Sequence, residues 1–488
     1  MTLKQKTVSG LVWSFADNTV NLFIQFAVGI VLARLLSPAE FGLIGMLTIF
    51  IAVSQSFINS GFSQALIRKT DPSRTDYSTV FYFNMVIGVL CFLILFFCAG
   101  LISRFFREPQ LKPLVRVLGL SLIINAFSII QQTILTRRIN FKLQAKISVI
   151  SSVISGAAAI IMALLGFGVW SLVAKTLIMY AVSSFLLWLW NNWKPVLAFS
   201  VQSFRELFRF GSNLLISGLI DTLYRNVYYL IIGRFFSAQE LGYYSRADQF
   251  QALPSSNLTT VIQRVSYPVL STLKGDIPQL KDVYKKLIRS TMLICFVLML
   301  GMAAVARPMI LALIGDKWEP CVVYLQLLCF AGMFYPLHAL NLNILEVKGR
   351  SDLFLRLEII KKTLAVPILF FGIIWGIKVM IMGMIAMSLF AYFLNSYWSG
   401  HLIGYSFSEQ VKDILPSFLL ASGVSAVVFS EALILSLQPL PLLAIQLLTG
   451  AALTLGICEA IEFRDYVYIR ETIKEKVYKT LSFNGKAE

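Results

Sequence analysis

Apolar residues run along this chain in stretches of about 20, separated by short polar connections, and that is the length at which an α-helix crosses the hydrocarbon of a bilayer. The runs fall at residues 8–32, 42–65, 80–102, 114–135, 147–165, 168–190, 211–233, 249–270, 291–313, 322–345, 357–377, 380–397, 416–437 and 442–461. The pattern predicts an all-α polytopic membrane protein of about 14 transmembrane helices. The first run is too long for the apolar core of a signal peptide and no A-x-A-like site follows it, so the first helix is expected to stay in the protein.

The pattern also repeats. The stretch ARLLSPAEFG (33–42) returns as GRFFSAQELG (233–242), with Arg34/Arg234, Ser37/Ser237, Glu40/Glu240 and Gly42/Gly242 in register. REP at 107–109 is matched by WEP at 318–320, and GFGVW at 166–170 by GIKVM at 376–380. The offset drifts only from about 200 to about 211 positions, which one longer loop absorbs. The expected organisation is a six-helix lobe at 1–200, a second six-helix lobe at 201–400, two extra helices at 401–462 and a basic tail at 463–488. An even helix number per lobe gives both the same orientation, a parallel repeat about an axis along the membrane normal.

Within the repeated motif, Ser37 followed three residues later by Glu40, with Pro38 between, is a capping box with proline at the first helical position. Ser237 and Glu240 repeat the box, and both copies supply partners to the first N–H groups of a helix that starts at the membrane surface. Arg34 and Arg234 are within reach of the interface or of the last carbonyls of the preceding helix.

The formal charge of +17, from 42 Lys and Arg against 25 Asp and Glu, would point to nucleic acid in a soluble chain. Here placement decides. Arg68, Lys69 and Arg74; Arg137, Arg138, Lys142 and Lys146; Lys274, Lys281, Lys285, Lys286 and Arg289; and Lys348, Arg350, Arg356, Lys361 and Lys362 fall in alternate loops. That asymmetry puts both termini in the cytoplasm and the basic loops against anionic lipid, with no nucleic-acid partner. The six cysteines lack C-x-x-C spacing and read as small buried hydrophobes, so no metal or cofactor is expected. No G-x-x-x-x-G-K-[ST] loop is present, which argues against ATP hydrolysis. The longest outer connection, 103–113, is too short for a catalytic domain, so the chain reads as no enzyme.

Polar residues inside the apolar runs carry the functional signal. The first run has Ser14, Asn18, Asn21 and Gln25 on one face, with Asp17 beside them; the second has Gln55, Asn59 and Ser63. The seventh has Asn213, Ser217, Asp221, Arg225 and Tyr228, and the eighth Gln249, Ser256, Thr260 and Gln263, interrupted by Pro254. In hydrocarbon such groups must face protein or water, so these four helices are expected to surround a polar interior. The substrate-binding candidates are Arg225, Asp221, Asn18, Asn21, Gln25, Gln55, Asn59, Ser217 and Gln263, and Asp17 and Asp221 are candidates for ion coupling. The structural alternative is that these groups bond helix to helix and that Asp221 pairs with Arg225 one turn on.

The stretch VSGLVWSFADNTVNLFIQFAVGIVLARLLSPAEFGLIGMLTIF, the GFGVW turn and the repeat IIGRFFSAQELGYYSRADQF resemble the polysaccharide transporters of the multidrug/oligosaccharidyl-lipid/polysaccharide exporter superfamily, the group of O-antigen and colanic-acid flippases. The resemblance covers essentially the whole chain. It implies two six-helix lobes forming a V, a lumen lined by the first, second, seventh and eighth helices, and a polyprenyl-diphosphate-linked oligosaccharide as cargo. That cargo would cross the bacterial inner membrane by alternating access, for lipopolysaccharide or exopolysaccharide biosynthesis, with a polymerase and glycosyltransferases as candidate partners. Family members often carry several Arg or Lys in the lumen; here Arg225 is the central one, and the first helix offers Asn and Gln instead. A multidrug cation exporter of the same superfamily would favour an acidic, aromatic-rich cavity and twelve helices. A membrane-embedded polymerase or glycosyltransferase would need a substantial outer loop.

Single cysteines replacing Lys69 and Lys285 are expected to be labelled from the same, cytoplasmic, side of the membrane by an impermeant maleimide. Labelling from opposite sides would overturn the parallel repeat.

Overall fold

The computed structural model describes residues 3–59, 61–472 and 474; the side chains of 3–12, 14–16, 18, 213, 264 and 265 lie outside the described set. All of the predicted runs lie on α-helices, and no strand occurs among the described residues. The first lobe of the sequence comprises α1 (Leu3–Leu35), α2 (Pro38–Asn59), α3 (Phe62–Arg68), α4 (Arg74–Phe106), α5 (Leu111–Leu118), α6 (Leu120–Arg137), α7 (Phe141–Leu164) and α8 (Trp170–Trp190). The second comprises α9 (Val201–Phe235), α10 (Ala238–Thr272), α11 (Ile277–Ala304), α12 (Ala306–Ile314), α13 (Cys321–Gly332), α14 (Tyr335–Val347), α15 (Ser351–Trp375) and α16 (Ile377–Ile403). The extra helices are α17 (Phe407–Ile434) and α18 (Pro439–Ala460).

Among the described residues, ten helices or joined helix pairs are long and apolar enough to span a membrane. The helices fall where the runs were predicted, but by this measure the count of 14 is not reproduced: α9, α10 and α15 fall short because of their polar content. α9 and α10, each 35 residues, are about 52 Å long, well beyond the roughly 30 Å of hydrocarbon. Their ends reach past the core on both sides, and between the ends they carry the polar stripes.

By contact the chain divides into two compact units, Met1–Ser245 and Arg246–Glu488. In the first, α1 packs on α7, α7 on α8, and α4 on α6, while α9 packs along α2. The helix that opens the second half of the sequence thus shares a unit with the first half. Aromatic packing explains it: Phe62, Phe81, Leu207 and Trp193 form one buried cluster with Phe83 and Phe204 against it. The connection from α8 to α9 is tied down as well, with the Val196 N–H donating to Ser78 Oγ (2.9 Å) and the Ser200 N–H to Thr79 Oγ1 (3.0 Å).

In the second unit, α15 packs on α16, and α13 and α14 pack on α16, while α17 docks along α11 and α18 along α12. Charge reinforces the docking of the extra helices. Glu409 of α17 accepts from Lys281 (3.0 Å) and Lys285 (2.9 Å), and Asp465, just after α18, accepts from Arg289 Nε (2.8 Å). Half-buried networks of this kind outperform isolated surface pairs because the side chains hold one another in place.

The sequence repeat reappears as local geometry. Gly166 and Gly376, which open the matched turns, both take positive φ, 83° and 98°, where a Cβ is strained. At the start of α2, the Ser37 N–H donates to Glu40 Oε2 (2.6 Å) and the Glu40 N–H to Ser37 Oγ (3.4 Å); the Glu240 N–H likewise donates to Ser237 Oγ (3.1 Å) at the start of α10. The two starts then dock on each other within the first unit. A Cβ at Gly42 would fall inside the envelope of the Ala238 carbonyl oxygen, and one at Gly242 inside that of the Pro38 carbonyl oxygen. Each glycine lets its helix approach the backbone at which the other begins.

Gly42→Leu and Gly242→Leu are each expected to force the two helix starts apart and cost at least about 1–3 kcal/mol, read as a lowered melting temperature of the purified protein. Gly301→Ala, whose Cβ meets nothing within 4 Å, should be neutral or gain about 0.5–1 kcal/mol. Equal behaviour of the variants would show that the close approach is not needed.

Candidate functional site

α9 presents two different faces. Its start is capped by Ser200, whose hydroxyl accepts from the Ser203 N–H (3.2 Å). Its first turns are clamped by Phe204 and Phe208, whose rings stack at 5.4 Å, with Phe62 at 5.8 Å from Phe204. About four turns past the aromatic clamp the packing turns polar: the Thr222 and Ser56 hydroxyls meet at 3.0 Å between α9 and α2. A neighbouring face carries Ser217, Asp221 and Arg225, spaced one turn apart and all exposed.

Arg225 makes no ion pair with Asp221, and among the described residues its guanidinium has no hydrogen-bond partner. The structural alternative raised by the sequence therefore finds no pair here. A guanidinium near the middle of a helix of transmembrane length, held on an exposed face, must be solvated by water or by a ligand, since hydrocarbon offers it nothing.

The other candidates separate into two groups. Asn21 is buried and bonded inward: its amide donates to the Asp17 carbonyl (3.1 Å) and to the Asp17 carboxylate, and its Oδ1 accepts from Ser152 of α7 (2.8 Å). Gln55 of α2 donates to the Tyr180 hydroxyl of α8 (2.8 Å). These three, Asp17, Asn21 and Gln55, tie helices of the first unit together. Gln25 and Asn59 are exposed, as is Gln263 on the part of α10 that belongs to the second unit. The side chains of Asn18, Ser14 and Asn213 lie outside the described residues.

Sequence reasoning passed over Ser152, Tyr180 and Thr222, each of which completes one of these bonds. A signal for the first existed: Ser148, Ser151, Ser152 and Ser155 line one side of the fifth apolar run. Of the two interfacial arginines in the repeated motif, Arg234 reaches the last turn of α4 rather than its own helix, donating to the Phe105 carbonyl with its guanidinium 5.0 Å over the Phe105 ring.

Comparison with known proteins follows from this geometry. A family profile described as "Polysaccharide biosynthesis protein" matches residues 31–323. The chain is 26% identical to the teichuronic acid biosynthesis protein TuaB of Bacillus subtilis (strain 168), covering 92% of this chain and 94% of that one. It is 25% identical to the lipopolysaccharide biosynthesis protein WzxC of Escherichia coli (strain K12), covering 76% of each. Among solved structures it is similar to the lipid II flippase MurJ in an inward closed conformation, with TM-score 0.74 at 15% identity over 94% of this chain and 100% of that chain. At that identity the likeness is one of fold.

Because the Arg225 guanidinium is exposed, Arg225→Ala should leave the melting free energy within about 0.5 kcal/mol of wild type. Marked destabilisation by Arg225→Ala, cancelled in the double variant Asp221→Asn/Arg225→Gln, would restore the ion-pair reading.

Proposed function

The chain belongs to the polysaccharide biosynthesis protein family, and on that premise we propose that it flips a polyprenyl-diphosphate-linked oligosaccharide across the bacterial cytoplasmic membrane by alternating access. Such a cargo has a head group too polar for hydrocarbon and a tail too apolar for water. The protein must therefore wet a path for the head while leaving the tail in lipid. The observation that carries this reading is the exposed polar face of α9, where Ser217, Asp221 and an unpaired Arg225 occupy a helix of transmembrane length.

In this mechanism Arg225 meets the diphosphate as it loses its hydration. Guanidinium suits that role, because it stays charged and presents its N–H groups as a fork that phosphoryl oxygens fill two at a time. Ser217, Asn59 and Gln25 supply neutral hydrogen bonds to the sugar hydroxyls, and Asp17 and Asp221 are the groups through which an ion gradient would couple. Both termini and the basic loops face the cytoplasm, where anionic lipid lies against them. The polysaccharide polymerase and the glycosyltransferases that load the cargo are the natural partners. The chemistry is transport rather than bond making.

A strain lacking the gene is expected to retain labelled lipid-linked glycan in the inner leaflet, with unchanged resistance to cationic drugs. Arg225→Ala should reproduce that retention at normal protein levels, and Arg225→Lys should restore export only in part. Wild-type export by Arg225→Ala would remove the residue from the path; altered drug resistance with normal glycan export would favour the multidrug reading.

A further inference from the structure

A cavity of about 450 Å³ opens between the end of α3 and the start of α9, within the first unit. That is within the roughly 300–1,000 Å³ typical of ligand pockets. Its floor is apolar, made by Ala65, Leu207 and Phe210, and its rim is polar, made by Arg68, Lys69, Thr70 and Glu206. It lies at one end of α9, some 15 residues from Arg225 along the helix and hence about 22 Å away.

The rim is rigidly built. Lys69 is clamped between Glu206 (3.0 Å) and Asp76 (3.2 Å). Burial pulls its ammonium down, but those two carboxylates outweigh it and hold the pKa above the usual lysine value. The Lys69 carbonyl accepts from Arg137 Nη2 (3.1 Å), whose Nη1 donates to the Tyr77 hydroxyl (2.9 Å). Asp76 is in turn locked by a capping box with Ser73. Lys69 is thus neutralised and fixed, and its neighbour Arg68 is left as the uncompensated charge.

The Arg68 guanidinium stands 4.8 Å over the Phe210 ring. Among the described residues it has no carboxylate and no hydrogen-bond partner. The ring orients the cation and leaves its N–H edge for an incoming group, with the Thr70 hydroxyl beside it on the rim. An anion that offers two oxygens side by side, as a phosphoryl group does, fits that edge. The apolar floor, continued by the exposed side chain of Ile67, gives an attached hydrocarbon chain somewhere to lie, which a free inorganic ion would not use.

We propose that this cavity binds the phosphoryl group of an amphiphile, with Arg68 gripping the phosphate oxygens and the Ala65–Leu207–Phe210 floor taking the start of the chain. Two sources carry that chemistry: a polyprenyl diphosphate, and an anionic glycerophospholipid of the bilayer. In the first case the cavity is a docking point that cargo meets before the path along α9, which rests on the flippase reading. In the second it is a lipid site independent of that reading.

The test uses the full-length protein in detergent, with thermal-shift and native mass-spectrometric titration of polyprenyl diphosphate, phosphatidylglycerol, phosphatidylcholine and inorganic pyrophosphate. At least one of the two anionic amphiphiles should bind, with pyrophosphate at least about tenfold weaker, and Arg68→Gln should weaken that binding by about tenfold or more, the worth of one charge-assisted pair. Arg205→Gln, which removes a nearby exposed cation outside the cavity, should leave it unchanged. Binding of polyprenyl diphosphate alone identifies the cargo as the source; binding of phosphatidylglycerol alone identifies bilayer lipid; both support a phosphoryl site. Should Arg68→Gln fail to fold, Thr70→Val and Arg68→Lys read the same site through smaller losses. Wild-type affinity in the foldable variants, or no preference of the anionic amphiphiles over phosphatidylcholine, overturns the proposal. Because binding is read without transport, its failure leaves the flippase reading standing, and failed glycan export in a strain would not by itself remove this site.

Discussion

A hydrocarbon solvent offers no hydrogen bonds, and that constraint organises this molecule. It requires the backbone to close its own bonds, which is why the described residues form helices without strands. It also divides the side chains. A polar group within a span must bond to another helix, as Asn21 does to Ser152 and Gln55 to Tyr180, or stand where water can reach it, as Ser217, Asp221 and Arg225 do on α9. The first kind glues helices together at modest energy. The second kind is costly unless the protein supplies a wet surface, so its concentration on one helix face is the strongest functional statement the fold makes.

Helix positions were readable because about 20 consecutive apolar residues admit little else. The interruptions were less so. The second apolar run breaks before Gly61, the tenth just ahead of Pro336, and the ninth before Pro308, and although glycine and proline mark such places, they do not say whether a span bends, splits or continues. The repeat was readable in register down to single residues, yet its partners were not. Periodicity tells which face a residue occupies and is silent on what lies opposite. Hence the glycines of the motif were seen as in-register positions, while their docking on Pro38 and Ala238 required the fold.

The same limit governed the site. A stripe of Asn, Gln and Asp at helical spacing looks identical whether it lines a wet path or bonds to the next helix. Asp17 and Asn21 proved to be joined to each other and to α7, while Arg225 and Asp221, one turn apart on one face, were not joined as a pair. Sequence distance also misled about company: α9 follows a full lobe of chain but packs along α2, because the aromatic residues at its start match those at the foot of α3 and α4.

The reciprocal glycine contact has an ancestral meaning. Gly42 meets the backbone of Ala238, four residues before Gly242, while Gly242 meets that of Pro38, four residues before Gly42. A pattern in which one patch touches its own counterpart is how two identical subunits meet across a two-fold axis. The two copies of the motif are joined here as the subunits of a homodimer would be, so duplication and fusion of a smaller gene would have inherited this contact ready made. Since each half now holds one side of it, a bulky substitution in one copy can be accommodated only by a change in the other, and drift at these positions is coupled across about 200 residues of sequence.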